Sequence, residues 1–247
     1  LVQVVDRILV DTQNLRRIAD QFASRETGHF VVATTHTQAR YALPTIIKWF
    51  KSDYPKVHLA LHQGSPKEIA DMLTSGAADV GIATEGLDES PEIATFPFYR
   101  WHHAVIVRKD HPLLRAGAVT LEALSEYPII TYHEGFTGRA HVDKAFADAG
   151  IVPDIVLSAI DADVIKTYVD LDLGVGIIAS MAYDADKDRN LSLIPVPELF
   201  PSNTTRLAVR RGTYLRSYAY AFIEKVCPDV GEEAVRAALS KQNGSDS

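Results

Sequence analysis

Residues 30–83, FVVATTHTQARYALPTIIKWFKSDYPKVHLALHQGSPKEIADMLTSGAADVGIA, decide the fold. Phe30 to Thr34 reads as a short apolar strand. Thr37 to Tyr54 puts Ala39, Ala42, Leu43, Ile46, Ile47 and Phe50 on one helical face, with Pro44 placed to bend it. Val57 to Leu61 is the next strand. Pro66 to Thr74 is a short helix whose Pro66 lies in the first turn, where a missing N–H costs nothing. Ser75-Gly76 ends it and Val80 to Ala83 follows as a strand. Strand, helix, strand, helix, strand predicts a parallel sheet with helices on its faces, an α/β arrangement.

The same alternation returns further on. Ile93 to Val107 is long, apolar and extended, with Pro97 in its middle, and reads as a crossing from one lobe to another. Then come a helix at Thr120–Glu126 with Thr120 as its cap, a strand at Pro128–Thr131, a helix at Gly138–Ala149 and a strand at Ile155–Leu157. Asp161 caps a helix ending near Gly174, and Val175 to Ala179 is a strand. Leu191–Val196 and Leu207–Arg210 are extended, and Ser217–Val226 and Val230–Leu239 close the chain as helices. The expected fold is therefore two Rossmann-like lobes with a cleft between them. Lobe I takes about 27–97 plus 203–226, lobe II about 98–202, and a C-terminal helix and tail 227–247.

Before these, residues 1–26 read as a linker or dimerisation helix. Leu1, Ile8, Leu15 and Phe22 are spaced by seven, with Val4 and Ile18 between them and Asp11 interrupting the seam. The stripe fits a partner helix, or an ordinary amphipathic helix lying on its own domain. The chain opens without an initiator Met and without a signal-peptide layout, so it reads as beginning inside an element.

Composition narrows the function. Among 247 residues 47% are hydrophobic, enough for a packed core, and the net charge of -7 disfavours direct binding to a phosphate backbone. No apolar stretch reaches the roughly 18 residues that span a bilayer. One cysteine, Cys227, rules out an internal disulfide framework and any multi-cysteine metal site; it reads as a buried hydrophobe. His58 and His62 share a strand face but stand about 13 Å apart, too far for one zinc. The Gly174-Val175-Gly176-Ile177-Ile178-Ala179 match to a dinucleotide fingerprint follows a helix and opens a strand, the reverse of what that motif requires. Asn203-Thr204-Thr205 is a glycosylation sequon by rule only. No nucleophile elbow or phosphate loop is present, and the closest carboxylate pair, Asp161 and Asp163, has Asp161 as a helix cap and no nucleophile beside it, so no catalytic residue, metal or cofactor is expected.

What the chain does offer is small neutral polar groups where strands give way to helices. These are Ala33-Thr34-Thr35-His36-Thr37-Gln38, Ala83-Thr84-Glu85-Gly86 and Gly135-Phe136-Thr137-Gly138-Arg139. A helix start leaves N–H groups unpaired and carries partial positive charge. Hydroxyls and amides added there can hold a small anion without a cationic clamp. His36 would gain pH-sensitive affinity beside an anion, or else turn into the helix flank. Arg139 would add charge to a ligand or form a surface ion pair.

Several of these residues fall in a pattern already known. Leu43-Pro44, Phe50, Tyr54-Pro55, Val57, Gly64, Ala78-Asp79-Val80 and Gly174-Val175-Gly176-Ile177 resemble the effector-binding domain of LysR-type transcriptional regulators. More narrowly, ATTHTQARY (33–41), FTGR (136–139) and DADVIKTYV (161–169) resemble the CysB and Cbl branch, whose members regulate sulfur assimilation. The resemblance implies a two-lobed, type 2 periplasmic-binding-protein-like domain over 27–247, preceded by the linker helix. An N-terminal winged helix-turn-helix, outside this chain, would bind DNA. It places ligand binding on Thr35, Thr37, Gln38, Thr84 and Thr137, with Gln63 and Ser65 as neighbours and Trp101 at the lobe crossing. Glu85 would disfavour an anion or read an ammonium group. The implied effectors are acetylserines, sulfate, thiosulfate or adenosine phosphosulfate. The implied setting is a cytoplasmic homodimer or homotetramer that acts on DNA, with RNA polymerase as a further partner and no membrane. The alternative is a solute-binding protein of a transport system for a small anion.

Overall fold

The computed structural model describes Thr12, Asn14, Leu15 and residues 27–240. The expected linker helix over 1–26 lies almost wholly outside the described residues. Of it, Asn14 can be placed: its amide donates to Gly212 O (2.9 Å) and accepts from Tyr214 N (2.9 Å).

Helix and strand alternate as the patterning requires. In the first unit β1 (Gly28–Thr34), β2 (Val57–Gln63) and β3 (Val80–Ala83) pair parallel, with Thr34 opposite both Gln63 and Ile82. Between them run α1 (Pro44–Asp53) and α2 (Pro66–Thr74). β4 (Ile93–Trp101) and β10 (Asn203–Arg210) complete the sheet in the order β2-β1-β3-β10-β4. The second unit contains β5 (His103–Arg108), β6 (Ile129–Tyr132), β7 (Ile155–Ala159), β8 (Val175–Ala179) and β9 (Leu191–Pro195), in the order β7-β6-β8-β5-β9. Its helices are α3 (Leu121–Ser125), α4 (Arg139–Asp148) and α5 (Ala162–Asp170). α6 (Ser217–Val226) and α7 (Glu232–Ser240) return to the first unit. The boundaries between units fall at Tyr99/Arg100 and Thr204/Thr205.

The parallel pairing expected over 30–83 holds for β1, β2 and β3, but later strands do not all continue it. β10 runs antiparallel to β3, and β5 runs antiparallel to both β8 and β9. A strand buried on both faces reads as the same apolar run in either direction, so its sense is invisible to patterning. The long extended crossing is likewise two strands, β4 and β5, broken at His102.

Each unit has its own core. In the first, Phe30, Phe50, Tyr218 and Phe222 pack edge-on or tilted, with ring centroids 5.1 to 6.3 Å apart. In the second, Val105, Ile129, Val142, Phe146, Ile177 and Phe200 lie together. Gly176 lets helix approach sheet: a Cβ there would stand 2.4 Å from Ile106 and 2.9 Å from Val169. The fingerprint glycine is therefore a packing glycine on β8. Cys227 is buried, and burial pushes its thiol up to about 12, which leaves it inert as a nucleophile.

Candidate functional site

The first unit gathers polar side chains at the carboxyl ends of β1, β2 and β3. The register places Gln63, Thr34 and Ile82 abreast there. Thr34 turns inward and donates to Ile82 O (2.9 Å), which pins the two strand ends together. Thr35 and Thr84 then leave adjacent strands. After Thr35 the chain takes a wide, π-helical turn over Gln38–Ala42, in which Leu43 N bonds to Gln38 O at 3.0 Å. Pro44 explains it: the ring lacks an N–H and crowds the carbonyl four residues back, so a regular α-turn cannot run through it. Thr37 has helical φ and ψ and makes no cap hydrogen bond, so its hydroxyl is not a helix cap.

Thr35, Thr37 and Gln38 are all buried, Gln38 to 0% exposure. Tyr99 OH donates to Gln38 Oε1 at 2.5 Å. Burial raises the Tyr99 phenol to about 12, so it stays a protonated donor; hydrogen bonds to Thr205 and Gln38 oppose the shift. Thr205 Oγ1 in turn meets Thr84 Oγ1 at 3.3 Å. Thr84, Thr205, Tyr99 and Gln38 thus form one neutral chain of hydrogen bonds. Because its carbonyl end is occupied by Tyr99, the Gln38 amide must point Nε2 the other way. That nitrogen is buried and has no partner among the described residues.

The remaining first-unit candidates sit differently. Gln63 is exposed and its Oε1 meets His36 Nδ1 at 3.1 Å, so these two form a surface pair. Ser65 caps α2: its hydroxyl and N–H both donate to Glu68 Oε2 (2.8 Å each), and its Oγ accepts from Glu68 N. Its polar atoms are already engaged in that capping box.

In the second unit, Thr131 Oγ1 donates to Ile177 O (3.1 Å), repeating the Thr34 device at the end of β6. Thr137 ends the following loop, 3% exposed and with φ +46°, and Gly138 follows with φ +70°. A β-branched residue at positive φ is an outlier. His103 Nε2 donates to Thr137 O (3.1 Å), and Asn203 Nδ2 donates to His103 Nδ1 (3.4 Å). Burial pushes His103 down to about 4, so the ring is neutral. Trp101 is 4% exposed and packs edge-on against His103, centroids 5.0 Å apart; it is a core side chain. Arg139 is committed to structure, donating to Tyr132 O (2.6 Å) and Asp143 Oδ1 (2.7 Å).

Tyr99, Thr205, His103 and Asn203 were not among the expected site residues. A signal did exist. Asn203, Thr205 and Leu207 alternate on one buried face of β10, so two polar side chains share a core-facing row with a leucine. Buried polar groups require partners.

The sequence and the fold both resemble those of known proteins. Residues 23–226 match the family model for the LysR substrate binding domain. The chain is 55% identical over 237 residues to the HTH-type transcriptional regulator SsuR of Burkholderia cenocepacia, covering 96% of this chain and 77% of that protein. It is 49% identical to CysB of the same organism, over 95% of this chain and 75% of that one. The crystal structure of the cofactor-binding domain of the Cbl transcriptional regulator superposes with a TM-score of 0.85 at 44% identity. That match covers 87% of this chain and 95% of the other.

Proposed function

The chain belongs to the LysR substrate-binding-domain family, the effector-binding part of LysR-type transcriptional regulators, and from that premise we propose that it senses a small acidic metabolite of sulfur assimilation. Its named relatives are transcriptional regulators, so the transport alternative is not carried further. The observation that carries the proposal is Gln38: a fully buried amide whose carbonyl is held by Tyr99 and whose N–H donors have no protein acceptor among the described residues. A buried donor left this way costs about 1–3 kcal/mol. An acceptor brought by a ligand recovers that cost. Thr35, Thr37 and Thr84 add neutral hydroxyls, and no cation takes part in the Thr84–Thr205–Tyr99–Gln38 chain. This chemistry suits a sulfate-type oxyanion or the carboxylate of an acetylated amino acid. Thr137 joins the effector set on the sequence string 136–139 alone.

Effector binding then biases DNA binding by the N-terminal winged helix-turn-helix of the parent protein, in a cytoplasmic homodimer or homotetramer. No helix among the described residues is long and apolar enough to cross a membrane. Calorimetric titration with O-acetylserine, N-acetylserine, sulfate, thiosulfate and adenosine phosphosulfate tests the reading. At least one should bind, at micromolar affinity near -8 kcal/mol, and Thr37→Val should weaken it while the fold persists. Failure of all five to bind, or unchanged affinity in Thr37→Val, overturns the proposal.

A further inference from the structure

Three unfavourable features converge behind the loop that ends in Thr137. The first is Thr137 itself, held at φ +46° despite its branched Cβ. The second is His103, an imidazole 1% exposed at the start of β5. The third is Asn203 Oδ1, a buried oxygen without a partner among the described residues. Each is destabilising alone, and strain of this kind persists only where surrounding structure imposes it.

The hydrogen bonds show how the three are linked. Thr137 O can only accept, so His103 must carry its proton on Nε2 to bond it at 3.1 Å. His103 Nδ1 must then be an acceptor, and Asn203 must present its NH2 to it, at 3.4 Å. This orientation leaves Asn203 Oδ1 facing Gly138, where a Cβ would stand 2.2 Å from it and 2.8 Å from the His103 ring. Only a glycine fits against the pair. The ring is wedged by Trp101 at 5.0 Å and Phe200 at 5.7 Å, so it cannot swing away. A leucine or phenylalanine at 103 would satisfy packing without any of these costs; what it could not do is hold the Thr137 carbonyl.

We propose that His103, oriented by Asn203, is a positioning residue that clamps the Thr137 carbonyl and so presents the Thr137 end of this loop to the effector. The proposal rests on Thr137 being an effector contact. Asn203 sets the tautomer, His103 transmits it, and Gly138 provides the room.

The test uses His103→Phe, which keeps the ring volume, Asn203→Leu, which removes the donor to Nδ1, and Thr137→Val. Sulfate is the anion probe, titrated calorimetrically against the whole chain. His103→Phe and Asn203→Leu should each lower sulfate affinity about tenfold. The His103→Phe/Thr137→Val double variant should bind no more weakly than Thr137→Val alone, because both act through one loop. A ligand-free readout separates this from a merely structural role. The Thr137 amide–Hα coupling should change on His103→Phe, and nitrogen shifts of wild-type His103 should show the proton on Nε2. An unchanged Thr137 coupling, a proton on Nδ1, or unaltered sulfate affinity in a folded His103→Phe overturns the clamp. If Thr137→Val binds sulfate as wild type does, the effector role of Thr137 fails and the clamp falls with it. If wild type binds no sulfate, the affinity comparison is made with whichever of thiosulfate, adenosine phosphosulfate, O-acetylserine or N-acetylserine binds, and the coupling and tautomer measurements decide the clamp in either case. If His103→Phe does not fold, Asn203→Leu decides on the same readouts.

Discussion

Gln38 and His103 are both buried polar side chains, and they differ in what satisfies them. Gln38 spends its carbonyl on Tyr99 and keeps a donor in reserve. Replacing it with Leu removes that lone donor at the cost of one Tyr99 bond, and the two effects offset to within about 1 kcal/mol. Thermal melting of Gln38→Leu should therefore stay close to wild type while effector affinity, read by calorimetry, falls tenfold or more. His103 is satisfied at both nitrogens and pushed down to about 4 by burial. Its ordinary value is near 6.5, so between these values the unfolded chain binds the proton and the folded chain does not. Stability therefore rises with pH across that window and is lost as pH falls through it. The contribution should account for about 2 kcal/mol of the difference between pH 7 and pH 5. Urea unfolding at the two pH values should show this dependence reduced in His103→Phe.

At the scale of elements, the wide turn after β1 and the glycine on β8 show how local sequence serves the site and the core. Pro44 forces the turn that seats Gln38. Pro44→Ala should let a regular α-turn form, raising or preserving the melting temperature while weakening effector binding, because Gln38 leaves its seat. Gly176→Ala should cost about 1–3 kcal/mol by overpacking against Ile106 and Val169, measured as a shift in urea midpoint. The positions of the elements were legible in the sequence: α2 at Pro66–Thr74 and β3 at Val80–Ala83 fall where periodicity and turn residues put them. Pro66 was legible as the helix start, but Ser65, expected beside the ligand, was not legible as a residue whose polar atoms are engaged in a capping box.

At the scale of the whole molecule, the chain leaves the first unit after Tyr99 and returns at Thr205. The second unit is thus one continuous segment with its own core. The first needs the returning chain, since Leu207, Val209, Tyr218 and Phe222 share its core with Phe30 and Phe50. A polypeptide of residues 100–204 should fold alone with a cooperative urea transition followed by circular dichroism. Residues 27–99 alone should not, because they lack that apolar surface.

The sequence by itself determined the α/β alternation, most helix and strand positions, and the polar strings that carry the family likeness, but not the break at His102 or the wide turn over Gln38–Ala42. The features it determined depend on neighbours a few residues apart, which periodicity and turn chemistry encode directly. Only the tertiary structure decided which strands run antiparallel and which polar groups meet. Tyr99 reaches Gln38 across 61 residues, Asn203 reaches His103 across 100, and Thr205 reaches Thr84 across 121. A residue pattern tells which face is buried; the partner waiting there is chosen by how distant strands come to lie side by side.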